Sequence, residues 1–388
     1  MLFSPKTSGK IILLLEIQSS VARSSLVWYR IGEPIRILFV DERPIPFKPN
    51  VGTPYFIKTT LKALSQTIDA AMKDLHAQSH ADAEGLMPHT VEEIHYVLSS
   101  PWIASQARTL SLALDKNTAI TDKKVREILD EERKKLMPDT DGPLETIEEK
   151  IFDVRLNGYS VLVWENKQAH LLEISYAVTV GGSDTIRRFR ESCEHIIRPS
   201  RIHFHSSLLL QYVGVLAAMP ERTTYTLVHI HGELTDVLSV KNGSCTFFGS
   251  YPMGINTIIR KIAHSTKMDI QTADSLISLY LGNRLDPEHA SSTASVMKAM
   301  AAGWSGELSK LFKDTSLQSS LGRDVLVAAR SHEDFFVQSL ATVHPGGRIE
   351  AWSPSEAMPN VIFASAAHHW RIISSYSIAI RKLAEGRL

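Results

Sequence analysis

The sequence predicts an α/β protein made of two halves of one design, each a mixed five-stranded sheet with helices on its faces, plus a small α+β unit set between them. Three observations predict it. Residues 11–98 and 225–329 run through the same order of parts: three apolar segments joined by turn residues, an amphipathic helix, then a further strand. Asn242-Gly243 stands between two apolar runs, a strong short-range hairpin signal. Residues 115–198 change character, to a highly charged helix followed by strands and a second helix, as a unit with its own core would. No sequence repeat accompanies the shared order, so the duplication is one of elements only.

The first half spans residues 1–114. Its run IILLLEI (Ile11–Ile17) is too short to cross a bilayer, is interrupted by Glu16 and has no small-residue cleavage site after it; it reads as a buried strand, not a signal peptide. The expected strands are Ile11–Glu16, Leu26–Ile31 and Pro34–Val40, with QSSVARSS (Gln18–Ser25) and Gly32-Glu33 as turns. A helix follows from Thr53, an N-cap before Pro54, carrying Ile57, Leu61, Leu64, Ile68, Met72 and Leu75 at helical spacing. After a polar loop from His76 to His89, Glu93–Leu98 reads as a fourth strand, closed by Ser99-Ser100-Pro101.

The inserted unit covers residues 115–198. Thr121 caps the helix Asp122–Leu136, with Val125, Ile128 and Leu129 inward and Glu131–Lys135 on a solvated face. Beyond a loop from Pro138 to Pro143, strands are expected at Phe152–Tyr159, Val161–Trp164 and Leu171–Val180. Ser183 then opens a helix with Ile186, Phe189, Cys193 and Ile196 inward.

The second half spans residues 199–388. Strands are expected at Tyr225–Ile230, Leu234–Val240 and Cys245–Tyr251, then a helix from Gly254 to His264. A helical insertion at about 265–320 carries Val296, Met300, Trp304, Leu308 and Leu311 at helical steps. Asp324–Ala329 is a strand and Phe335–Leu340 a helix. The stretch Trp370–Leu388 has a thin apolar face and no linker before it. It reads as a last helix packed on the fold rather than one lying in a membrane surface.

Composition narrows the function classes. Lys+Arg and Asp+Glu are both 42, which gives no support to nucleic-acid or anionic-membrane binding. Cys193 and Cys245 belong to no CxxC pair and read as reduced core residues, which suits a cytoplasmic setting. His203-x-His205 and His229-x-His231 each place two imidazoles on one strand face, but two ligands fall short of a zinc site and no metal is expected.

Four segments carry a resemblance: LLLEIQSSVARSSLV (Leu13–Val27), VLSSPWIASQAR (Val97–Arg108), FDVRLNGYSV (Phe152–Val161) with HLLEISYAV (His170–Val178), and LVHIHGELTDVLSVKNGSCTFFGSYPMG (Leu227–Gly254). In their order they resemble the bacterial actin homologues FtsA and PilM, over nearly the whole chain. The resemblance implies duplicated actin-like (ribonuclease-H-like) domains with a cleft between them, and ATP with Mg²⁺ in that cleft. The positions it assigns to the nucleotide are Gln18, Ser19, Ser20 and Val21 in a first phosphate loop, and Gly232, Glu233, Thr235 and Asp236 in a second. Ala329 and Arg330, in VLVAARSHEDFF (Val325–Phe336), suit the adenine side, with NVIFASAAHH (Asn360–His369) as the alternative.

The same comparison exposes departures. Gly232, Glu233, Thr235 and Asp236 agree with the family's second hairpin, but His229 stands for its first Asp and His231 for its first Gly. In the first loop Glu16 replaces Asp and Gln18 replaces Gly. Phosphate loops need glycine so that backbone N–H groups can approach the oxygens, and Mg²⁺ wants oxygen ligands, which imidazole does not supply. The catalytic candidates left are Glu16, Glu233 and Asp236. The resemblance therefore implies an FtsA/PilM-like scaffold that binds ATP weakly or not at all and acts in cell division or a pilus or secretion machine. Its contacts are protein partners met through the inserted unit, together with head-to-tail self-association. Its place is cytoplasmic, at the inner face of the membrane through partners; peripheral membrane contact of its own is the lesser expectation. Two rivals stay open: an active ATPase or kinase-like phosphotransferase, and a structural interaction protein with an empty cleft.

Overall fold

A computed structural model describes residues 9–46, 52–81, 90–136, 142–285, 287–313, 322–352, 361–363 and 371–385. The chain begins with β1 (Lys10–Ile17), β2 (Val21–Tyr29) and β3 (Ile35–Pro44), then α1 (Thr53–Ala81) and β4 (Val91–Leu98). The region after β4 forms β5 (Ile103–Ile120), α2 (Asp122–Leu136), β6 (Leu144–Leu156), β7 (Tyr159–Ser160), β8 (Lys167–Gly182) and α3 (Ser183–Glu191). Next come β9 (Ile202–Ser206) and α4 (Ser207–Ala218). The second half is β10 (Tyr225–Ile230), β11 (Thr235–Lys241), β12 (Ser244–Tyr251), α5 (Ile255–Thr266), α6 (Ile270–Leu281), α7 (Pro287–Lys313), β13 (Asp324–Ala329), α8 (Glu333–Val343) and β14 (Arg348–Ala351). β15 (Val361–Phe363) and α9 (Arg371–Ala384) end it.

The strands make three sheets, ordered β15-β3-β2-β1-β4-β9, β12-β11-β10-β13-β14 and β5-β8-β6-β7. Without β15, the first two repeat one topology: a three-stranded antiparallel meander, then two parallel strands added beside its first strand. This is the mixed, duplicated architecture that the sequence predicts, with β15 as an extra parallel edge on β3. The turn between β11 and β12 has positive φ at Asn242 (51°) and Gly243 (79°), the backbone that a two-residue hairpin of matching twist demands.

Between the two sheets lie α4 and α9. Every residue of α4 from Ser207 to Val215 is buried, because it is covered by both sheets and by α9. Ser206 caps it, its hydroxyl accepting from the Leu209 amide. α9 buries Ile373, Tyr376, Ala379 and Ile380 in the same core, so its apolar face is covered, as expected for a last helix of the fold. No described helix is long and apolar enough to cross a membrane. Cys193 and Cys245 are buried and free.

Two sequence expectations are corrected. QSSVARSS is not a turn throughout. Only Gln18–Ser20 turn, closed by the Gln18 amide donating to Val21 O at 3.0 Å, and Val21–Ser25 already belong to β2. The polar residues there are buried with partners: Ser24 Oγ donates to Thr67 O on α1 at 2.7 Å. Val161–Trp164 is not a strand. The hairpin at Asn157-Gly158 returns only as far as Ser160, at the edge of its sheet, and Leu162 and Val163 face solvent. Of the expected loops, residues 82–89 and 137–141 lie outside the described residues, and α1 runs on to Ala81.

Candidate functional site

The tips of the β1–β2 and β10–β11 hairpins face each other across the junction of the two halves, and they touch. Ser19 Oγ accepts from the Glu233 amide at 3.1 Å. A Cβ on Gly232 would lie 2.0 Å from Ser20 Oγ, so glycine is required there to let the Ser20 side chain press on the opposing backbone. Behind the second tip, the carbonyls of His231 and Gly232 accept from the amides of Ile255 (3.0 Å) and Asn256 (2.8 Å). The tip therefore caps α5, whose first amides would otherwise be orphaned, and the helix fixes the tip in place.

Each carboxylate that the family pattern would place near phosphate is held by a protein group. Glu16 is fully buried. It forms an ion pair with Arg23, its register partner across the hairpin, accepts from Gln18 Nε2 at 2.7 Å, and accepts from the Tyr376 hydroxyl of α9 at 3.2 Å. Burial works against the Arg23 charge, but Glu16 and Glu42 outweigh it and hold the guanidinium firmly protonated. Arg23 also bonds Glu42 at 2.6 Å, and Glu42 pairs in turn with Arg330 of the second half. A chain of alternating charge, Glu16–Arg23–Glu42–Arg330, thus ties the two halves together.

On the second hairpin, Glu233 is clamped by Arg260 of α5 through two bonds of 3.0 and 2.6 Å and by Asn256 Nδ2 at 3.1 Å. Asp236 bonds His231 Nε2 at 2.9 Å and accepts from the Ser100 amide at 3.2 Å. Burial alone would raise the Asp236 pKa; the adjoining His231 ring and hydrogen bonds from His231, Ser100 and Ser250 overcome it and hold the carboxyl below its ordinary value. Thr235 Oγ1 donates to Met253 O at 2.8 Å and accepts from Trp304 Nε1 at 3.0 Å. His229 is buried against His231, ring centroids 4.0 Å apart, and bonds Gln211 of α4 through Nδ1 at 2.8 Å. Burial, with His231 and Arg23 nearby, pushes its pKa well below the ordinary histidine value.

Ala329 and Arg330 line a cavity of about 340 Å³ together with Gln18, Arg23, His229 and Trp352. Gln18 Oε1 and Trp352 Nε1 have no protein partner among the described residues. The alternative adenine-side segment goes elsewhere: Val361–Phe363 pairs with β3 at the outer edge of the first sheet, and residues 364–369 lie outside the described residues. A second opening of about 800 Å³ is lined by Ser19 and Glu233 of the two tips, by Arg260, and by Phe56, Trp102 and Pro252. The structure thus brings Gln18, Ser19, Ser20, Gly232, Glu233 and Asp236 to one junction, with Val21 and Thr235 buried just behind it. Sequence reading missed Arg23, Glu42, Gln211, Arg260 and Tyr376. The Glu16–Arg23 pair alone carried a signal, because two residues flanking a short turn become register partners.

The ATP and Mg²⁺ that the fold implies do not fit these residues. Phosphates between the tips would have to replace direct tip-to-tip contact, and a metal at Glu16 would have to displace Arg23.

No family model matches the chain, and no curated protein does. Solved structures do. The chain is similar to a structure described as the PilM-PilN type IV pilus biogenesis complex, at 14% identity, over 99% of this chain and 100% of that one, with a TM-score of 0.61. A Bacteroides thetaiotaomicron protein of actin-like ATPase fold and unknown function aligns over 93% of this chain and 98% of its own at 8% identity and TM-score 0.40. The ethanolamine utilization protein EutJ from Carboxydothermus hydrogenoformans aligns over 98% and 90% at 12% identity and TM-score 0.40. The likeness to PilM, at that identity, is one of fold: the chain has the actin-like ATPase fold, as its sequence suggested.

Proposed function

We propose that this actin-fold chain is a scaffold of the FtsA/PilM type, a pseudo-ATPase that recruits protein partners in an envelope machine. The observation that carries the reading is the state of Glu16. It sits where the fold would place a carboxylate to organise Mg²⁺, and it is buried and spent on Arg23, Gln18 and Tyr376. Phosphoryl transfer on this fold depends on positioned charge and metal, so a neutralised carboxylate and joined hairpin tips remove its basis. The enzyme reading finds no substitute, since Glu233 and Asp236 are both engaged by neighbouring side chains.

The likeness to PilM over nearly the whole chain supports a role in contact with other proteins, because that structure is a complex of PilM with PilN. The inserted unit supports it too. Tyr159, Leu162 and Val163 expose 79%, 96% and 64% of their surface beside the edge strand β7, an apolar cluster of the kind that marks an interaction surface. A pilus or secretion machine is favoured over cell division by the PilM likeness alone. The test is turnover: phosphate release from MgATP by the full chain stays at the buffer rate. Release that depends on Mg²⁺ and is lost in Asp236→Ala or Glu233→Ala would establish the enzyme reading instead.

A further inference from the structure

Away from the junction, β4 and β9 bring four chemistry-bearing side chains to one place. The two strands are parallel and in register, with His95 opposite His203 and Val97 opposite His205. Alternate residues share a sheet face, so Glu93 and His95 of β4 lie on the same side as His203 and His205 of β9. Ligand atoms of Glu93, His95 and His203 all lie within 4.8 Å of one another. His95 Nε2 is 3.4 Å from Glu93 Oε2, and His95 Nδ1 is 3.0 Å from His205 Nε2. His205 Nδ1 in turn faces Glu148 Oε1 of β6 at 4.0 Å, and Glu148 is anchored by the Ser206 amide at 2.9 Å. Lys10 Nζ reaches Glu93 Oε1 at 3.4 Å from a solvent-exposed position.

We propose that Glu93, His95 and His203 bind one divalent transition-metal ion of the Zn²⁺ class. One carboxylate oxygen and two imidazole nitrogens make the ligand set, and the fourth position is open to solvent. Two nitrogens and one oxygen suit Zn²⁺ and its neighbours and suit Mg²⁺ or Ca²⁺ poorly. The graded burial fits an open site: His95 is buried, Glu93 partly so, and His203 exposed. His205 is a positioning residue. It accepts the Nδ1–H of His95, which fixes the tautomer and leaves the His95 Nε2 lone pair for the metal, and Glu148 orients His205 from behind. On metal binding the Lys10 ammonium leaves Glu93 for water. The ion would join β4 to β9, the two strands between which the inserted unit leaves and re-enters the first sheet.

The plainer reading of the same residues is a ladder of stacked rings, since His95 lies over His203 and His205 with centroids 4.9 and 5.2 Å apart. Titration separates the two. Full-length protein stripped with a chelator is titrated with ZnCl₂ by calorimetry, and with Co²⁺ by its visible ligand-field absorption. One equivalent binds, and the Co²⁺ spectrum is that of low-symmetry four-coordination. His203→Ala and Glu93→Gln each weaken binding by about tenfold or more, as does His205→Gln acting through His95. His264→Ala, at an exposed position on α5, binds as wild type does. His203 is exposed, so its truncation leaves the metal-free melting temperature in place, and Zn²⁺ raises that temperature in wild type but not in His203→Ala. Absence of saturable binding in the wild type overturns the proposal, as does binding of equal strength in wild type, His203→Ala and Glu93→Gln.

Discussion

Arg23 decides what Glu16 can do. A carboxylate with no exposed surface must be compensated, and Arg23 supplies the charge while Gln18 and Tyr376 fill the remaining lone pairs. Removing the arginine leaves Glu16 buried and uncompensated. Arg23→Ala is therefore expected to cost about 3–5 kcal/mol in chemical denaturation, with Glu16→Gln in the same background recovering part of it. His229 sets an acid limit. Burial holds it neutral in the folded chain, whereas it protonates in the unfolded chain below about pH 6.5. The unfolded state then binds more protons, so stability falls as pH drops from about 6.5, by up to about 1.4 kcal/mol per pH unit for each such histidine. His95, which burial pushes down to about 4, adds a second contribution of the same sign. Denaturation midpoints of His229→Gln between pH 7 and pH 5 are expected to fall less steeply than those of wild type. Little of this was legible beforehand. Glu16 and the histidines stood out against the family pattern, but Arg23 was hidden by reading Gln18–Ser25 as one turn. Once the turn closes at Ser20, Arg23 becomes the cross-strand partner of Glu16.

The elements that matter most are the two hairpins and the helices that fix them. The strands of the second were legible from their apolar runs, and the Asn-Gly turn that follows it, between β11 and β12, marks where β11 ends. α2 emerged with the bounds read from its charge pattern and Thr121 cap, whose Oγ1 accepts from the Lys124 amide at 3.2 Å. α4 was not seen at all. It is apolar on every side because both sheets and α9 cover it, so no amphipathic period marks it. The contact of the hairpin tips was equally invisible, since it depends on how the halves sit. It yields a paired prediction. Gly232→Ala drives a Cβ into Ser20 and should destabilise the protein by about 1–3 kcal/mol in denaturant titration. Ser20→Gly, which removes the opposing side chain, should restore much of that loss, the Asn256 amide 2.8 Å from the new Cβ retaining the rest; no rescue at all would mean that the tips do not bear on each other.

For the molecule as a whole, the duplicated strand order gives two like sheets, joined at their hairpin tips and by the ionic chain across the halves. Glu42 receives Arg23 from its own half and Arg330 from the other, so opening the junction separates a mostly buried carboxylate from a half-exposed guanidinium. The resemblance further implies head-to-tail self-association, a heterologous contact that would appear as concentration-dependent growth in sedimentation velocity. If the junction takes no triphosphate, titrating MgATP into the full chain in a calorimeter gives no saturable heat, with or without Mg²⁺. Tight binding that requires Mg²⁺ and is abolished by Ser19→Ala with Glu16→Ala would contradict it.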